Sequence, residues 1–248
     1  MDQNSTCSGY SNSYREIFQK RIVESGYEAL SASALEAASN ATTLSDLIEV
    51  WATVGAKCRE TTAPETPEIA DPVQARFMEL PLRDMMKSMA LERACGQWTG
   101  PPENFTPLLA KLYQTADVQE QQAIILVLPL LNSGERFIHV ATEAARTNIV
   151  PVFSSLALNN PFPQEHFTEN QWNQMVLKAI FVGCDITRIA GLAERHNPAL
   201  SETIFQYVSE RNSASRSVPR SVVELCERAL SDTSQHKLNA IKSDLRQE

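Results

Sequence analysis

Glycine is scarce in this 248-residue chain, with only eight in all, and no Asn-Gly or Asp-Gly dipeptide is present to close a β-hairpin. A fold rich in tight turns is thereby excluded, and no run of alternating apolar and polar residues argues for strands. Long apolar stretches are missing too. The longest, Ala123–Leu131, spans nine residues and is too short to cross a bilayer. Basic residues are outnumbered, 22 Lys and Arg against 30 Asp and Glu, for a formal charge of −8. A broad nucleic-acid surface or attraction to an anionic membrane therefore has no electrostatic basis. The five cysteines (Cys7, Cys58, Cys95, Cys184, Cys226) are odd in number and form no CxxC pair, a pattern that suits buried thiols in a reducing compartment.

Motif absences narrow the chemistry. The chain has no G-x-G-x-x-G, no G-x-x-x-x-G-K-[ST], no G-x-S-x-G and no H-E-x-x-H. The usual dinucleotide, P-loop, esterase and zinc-protease readings fall away, and no metal or cofactor is implied. Nor is there an aspartate-rich D-D-x-x-D helix of the terpene-synthase kind. The opening MDQNSTCSGYSNSY lacks both the charged and the apolar region of a signal peptide. A cytoplasmic protein, peripheral to a membrane at most, is the expectation.

What remains reads as helix. Ser13-Tyr14-Arg15-Glu16 has capping-box spacing, and Leu44, Leu47, Ile48, Trp51 and Val54 repeat on one helical face. Residues 61–72, rich in Pro and Thr, read as a linker between an N-terminal helical segment, 1–60, and an all-helical domain, 73–248. Val73–Cys95 reads as a helix interrupted near Pro81, and 96–105 as a loop. Thr106-Pro107 then offers a cap and an N1 proline. Asp117 to Glu120 is another box-like start, before a helix apolar on all sides that Pro129 should kink. Glu135–Arg146 follows, with Asn148 suited to a left-handed stop, then Val150–Leu158. Thr168 to Gln171 forms a third box, opening a helix that carries apolar residues on two sides, Leu177 and Phe181 among them. Asp185 caps Ile186–Arg195, and Asn197-Pro198 and Val218-Pro219 start the last elements before a polar C-terminal helix. Short successive helices of this kind predict an all-α fold, either stacked as an α-solenoid (HEAT-like) or gathered as an irregular bundle.

Candidate site residues concentrate between Glu143 and Lys178. Arg146, Asn148, Asn159, Asn160, His166, Asn173 and Lys178 lie among Phe153, Leu156, Phe162, Phe167, Trp172 and Met175. A polar group buried among hydrophobes needs a partner, from the protein itself or from a ligand. Arg146 ends an apolar helix and either caps its carbonyls or grips a carboxylate or phosphate. Lys178 offers a weaker form of the same choice. His139 and Glu143 share a helical face, as metal ligands, an acid–base pair or an exposed, self-satisfied pair would, and Glu165-His166 either shuttles a proton or leaves the histidine bonding a carbonyl beside its proline-rich turn. Asn173 borders its helix's apolar face and either ties a neighbouring backbone or touches a ligand. Cys184 reads as a small buried thiol.

Gln121-Gln122-Ala123, then EAARTN (143–148), NNPFP (159–163), EHF (165–167), WNQMVLKAIF (172–181) and GLAERHNPAL (191–200) together resemble the EboA-domain family over about residues 118–212. The resemblance implies a role in secondary-metabolite biosynthesis or metabolite traffic, beside a membrane-bound prenyltransferase of the UbiA type. It assigns no catalytic residues.

Two functions fit. In the first, a non-catalytic helical protein binds a small metabolite, a membrane prenyltransferase-type partner, or both. In the second, a cofactor-free tailoring enzyme carries out proton transfer, cyclisation or lyase chemistry. Arg146 would grip an anionic group and Glu143 or His166 would move a proton. Asn148, Asn160 and Asn173 would orient a substrate against Trp172 and Phe153, with Lys178 a further ligand-binding candidate.

Overall fold

The computed structural model describes residues 4–59, 80–98, 102–131 and 133–241. The expected linker, 61–72, and the first part of the helix expected from Val73 lie outside the described residues. Thirteen α-helices and no strand occur among the described residues, and the fold is all-α. The chain divides into two compact units, Met1–His166 and Phe167–Glu248.

In the first unit the helices are α1 (Asn4–Ser25), α2 (Glu28–Ser39), α3 (Leu44–Lys57), α4 (Leu82–Gln97), α5 (Pro102–Thr115), α6 (Val118–Val127), α7 (Ile138–Arg146), α8 (Val150–Ala157) and α9 (Phe162–His166). They pack in two rows. Helix α2 lies on α4, α4 on α6 and α6 on α8, while α3 lies on α5 and α5 on α7. Alternate helices share a row, as they do in an α-solenoid, but α1 touches both α4 and the distant Leu128–Leu130 turn. The row through α4, α6 and α8 explains why the second half of α6 is wholly apolar: Ala123 to Val127 are all buried, with α4 and α8 packed on the helix. The central helix α4 is buried nearly all round as well, at Leu82 and from Asp84 through Leu91.

Several helix ends differ from expectation. The box spacing at Ser13 falls inside α1, whose backbone is helical from Asn4, so no helix starts there. Helix α5 begins at Pro102, where the fixed φ of proline suits a first turn, which leaves Pro107 within the helix. The loop expected over 96–105 shortens accordingly. Pro129 does not kink α6. The α-helix stops at Val127 and Leu128–Leu130 tightens into a 3-10 turn. A second such turn, Gly134–Phe137, precedes α7, which starts at Ile138 rather than Glu135. The left-handed amide is Asn159 (φ 54°), whereas α7 stops on an extended Thr147 just before Asn148. Pattern reading also passed over α2, whose EALSASALEAAS buries only small residues, Ser31, Ala34 and Ala38.

The second unit holds α10 (Glu169–Val182), α11 (Pro198–Ser213), α12 (Arg220–Glu227) and α13 (Asp232–Ile241). The Thr168–Gln171 box opens α10 as expected, with both reciprocal bonds formed, and Gly183 ends it at φ 80°. Asp185 does cap, accepting from the Thr187 amide, but its helix lasts only three residues, Ile186–Arg188. Gly191 at φ 76° then turns the chain where Ile186–Arg195 was expected to continue. Phe181 is not sandwiched. It is 67% exposed and meets Tyr207 edge to face at 5.1 Å.

Candidate functional site

The expected site residues fall on both units. Glu143, Arg146, Asn148, Phe153, Asn160 and His166 belong to the first, and Trp172, Asn173 and Lys178 to the second. On α7, His139 Nε2 stands 3.7 Å from Glu143 Oε1 one turn along. Burial, assisted by the Glu143 charge, pushes the Tyr113 hydroxyl up to about 12. Arg146 and Asn148 are exposed, followed by exposed Ile149 and Val150. Asn160 is buried, and its amide is spent on main chain. Nδ2 donates to the Ile125 and Ser155 carbonyls at 3.2 and 2.9 Å, while Oδ1 accepts from the Phe162 amide at 3.0 Å. Such a set fixes the turn after α8 to the last turn of α6 and satisfies a side chain that burial would otherwise penalise. Phe153 is fully buried core.

His166 is half-buried, its Nε2 lying 3.7 Å from Glu165 Oε2 and its ring 4.5 Å from that of Phe162. The ring also lies against Gly134, where an added Cβ would meet Nε2 at 2.5 Å. In the second unit, Trp172 is completely buried beneath the Arg195 guanidinium, 4.8 Å from the ring centre. Arg195 Nη2 donates to the Phe167 carbonyl at 2.7 Å. Asn173 and Asn197 exchange amide bonds, and Asn197 Oδ1 also accepts from Leu200 N to cap α11. Burial pushes the Lys178 ammonium down.

Two constellations escaped pattern reading. The first is a buried ion cluster on α4. Asp84 is wholly buried with Arg83 at 3.2 Å, and Lys87 Nζ lies 2.6 Å from Glu120 Oε1 and 4.0 Å from Asp84 Oδ1. Burial raises the Asp84 pKa against the opposing pull of Arg83, its hydrogen-bonded partner. The Lys87 ammonium also sits 5.5 Å from the Trp51 ring centre, so α3, α4 and α6 meet at these charges. The i, i+3 spacing of Asp84 and Lys87 was visible in sequence, but their burial follows from the central place of α4.

The second is a cleft of about 310 Å³ in the second unit. One wall is the 3-10 turn with the residues after it, bringing Ile186, Ile189, Leu192 and Glu194; the other is α12 with Ser221, Leu225 and Arg228. Ile186, Ile189 and Leu225 are buried and make an apolar floor, while Glu194 and Arg228 reach solvent. Its volume stands at the lower end of the range typical of small-molecule sites, which are apolar with a few placed polar groups. Nearby, His196 Nε2 lies 2.7 Å from Ser201 Oγ, and burial, reinforced by the Arg228 charge, pushes the imidazole pKa down. Ser201 is fully buried, however, so this pair offers a substrate no approach. Burial, with the Glu227 and Glu202 charges behind it, also pushes the neighbouring Cys226 thiol up to about 12, the condition of an inert core thiol. Among the described residues no group of three or more His, Cys, Asp and Glu side chains is placed to hold a metal ion. No described helix is long and apolar enough to cross a membrane.

Short packed helices, a small mixed-polarity cleft and buried polar groups tied to their own main chain define an all-helical protein. The family model described as Metabolite traffic protein EboA matches residues 98–227, and the chain belongs to that family. The match extends the EboA resemblance at both ends and takes in every cleft residue but Arg228. No curated protein and no solved structure matches this chain.

Proposed function

We propose that this chain is a non-catalytic component of metabolite traffic that holds a small metabolite in the cleft between the 186–194 segment and α12. The observation that carries the reading is the cleft itself: an apolar floor with unpaired charged groups at its rim, all of it but Arg228 inside the region the family model covers. The amides and the histidine that a catalytic site would draw on support it in another way. Asn160 is committed to backbone and Asn173 to Asn197, and the His196–Ser201 pair is closed to substrate. In the same reading the protein works at the cytoplasmic face of a membrane, handing the metabolite to or from a prenyltransferase-type partner of the kind the family resemblance implies.

The test is to purify the full chain from cells making the metabolite and to analyse small molecules released on denaturation. A stoichiometric species that is lost when Ala193, on the cleft wall, is replaced by Trp is the expected result. An empty protein under every condition, or a species retained by the Ala193→Trp variant, would reject the cleft as its seat.

A further inference from the structure

The charges around the cleft specify more than its volume does. Glu224 is already neutralised by Arg220, whose Nε lies 2.7 Å from Glu224 Oε1. Two formal charges then face the opening from opposite walls. Glu194 comes from the turn that Gly191 creates, and Arg228 from the end of α12. Neither has a hydrogen-bond or ion-pair partner for its side chain among the described residues, and both are exposed. The lining is thus neutral in sum but polarised, with an acidic wall, a basic wall and an apolar floor of Ile186, Ile189 and Leu225 between them. A purely anionic guest would satisfy Arg228 and be repelled by Glu194, and a purely cationic guest would suffer the reverse.

We infer that the cleft recognises a small zwitterion, an amino-acid-like metabolite carrying one ammonium and one carboxylate on a short apolar frame. This deepens the binding reading given above and rests on it. The carboxylate takes the Arg228 fork, the ammonium meets the Glu194 carboxylate, and the apolar frame covers the floor. The two charged contacts set orientation, and the floor favours a branched or aromatic side chain over a polar one.

Titration calorimetry on the full chain, with the protein amino acids as probes, tests the inference. For each amino acid that binds, its deamino carboxylate and its decarboxylated amine are run beside it. At least one apolar amino acid is expected to bind, with both singly charged analogues weaker by about tenfold or more, the loss of one charged hydrogen bond. Arg228→Ala and Glu194→Ala should each cost a similar factor, and Arg228→Lys less; both positions are exposed, so circular dichroism should report an unchanged fold. Analogues that bind as well as the parent, indifference to both substitutions, or no amino acid bound at all would overturn the zwitterion assignment. A co-purified, singly charged metabolite that Ala193→Trp abolishes would overturn it too, while leaving the binding function standing.

Discussion

Asn173 and Asn197 hold each other through two side-chain hydrogen bonds, 3.2 Å in one direction and 2.9 Å in the other. One sits on α10 and the other caps α11, so the pair fastens two helices of the second unit at the point where one of them begins. Asn197→Ala removes the cap and the pair together and should destabilise by about 1–2 kcal/mol; Asn173→Ala removes the pair alone and should cost roughly half as much. Urea denaturation of the two variants checks the order. Equal losses would mean that the cap adds nothing.

Gly134 has no room for a side chain, because the His166 ring occupies the place of its Cβ. The ring is braced in turn by Phe162. Gly134→Ala should therefore cost about 1–3 kcal/mol, as overpacking does in a filled interior. In a His166→Ala background the same change should cost much less, and a double-mutant cycle measures the coupling. A cost that is the same in both backgrounds would place the strain elsewhere.

Arg195 covers Trp172 and also donates to the Phe167 carbonyl. Arg195→Ala should lose about 1–3 kcal/mol, the sum of a cation–π contact and one charged hydrogen bond. Arg195→Lys should keep part of the first and lose the geometry of the second. Denaturant midpoints, followed by tryptophan fluorescence, give both values. If alanine is tolerated as well as lysine, the guanidinium merely rests on the ring.

Glu202 joins α11 to the start of α13, accepting from Ser231 N at 3.0 Å and from Ser234 Oγ at 2.6 Å. Its hydrogen bonds to Ser231 and Ser234 hold the carboxyl below its ordinary pKa. A depressed folded pKa means that the ionised form stabilises the fold. The contribution is complete above the unfolded pKa and disappears as pH falls through the folded one. The thermal midpoint of the wild type should exceed that of Glu202→Gln near neutrality, and the gap should close as acidification carries pH below the ordinary glutamate range. A gap independent of pH would remove the carboxylate from the account.

Much of the secondary structure was legible because its causes are local. The boxes at Asp117 and Thr168 and the Asn197-Pro198 start each satisfy helix-end amides with a side chain a few residues away, and all three open helices where expected. Misreadings fell where a pattern has two local meanings. Ser13 with Glu16 is a box only if the chain before it is not helical, and Pro107 is a first-turn proline only if no earlier one starts the helix. Asn160 and Asn173 were legible as amides beside apolar residues in need of partners, but not which partners they would take, and Asn148 of the same set proves exposed.

By itself the sequence determined an all-α protein of the EboA family, since helical period, caps and family motifs are properties of neighbouring residues. Only the tertiary structure decided that α4 runs through the middle of its unit with Asp84 and Lys87 inside it, and that Asn160 closes on main chain. It alone brought Glu194 and Arg228 to opposite walls of one cleft. Burial and pairing of this kind depend on which surfaces meet, and residues 186–194 meet α12 only after the whole of α11 has intervened.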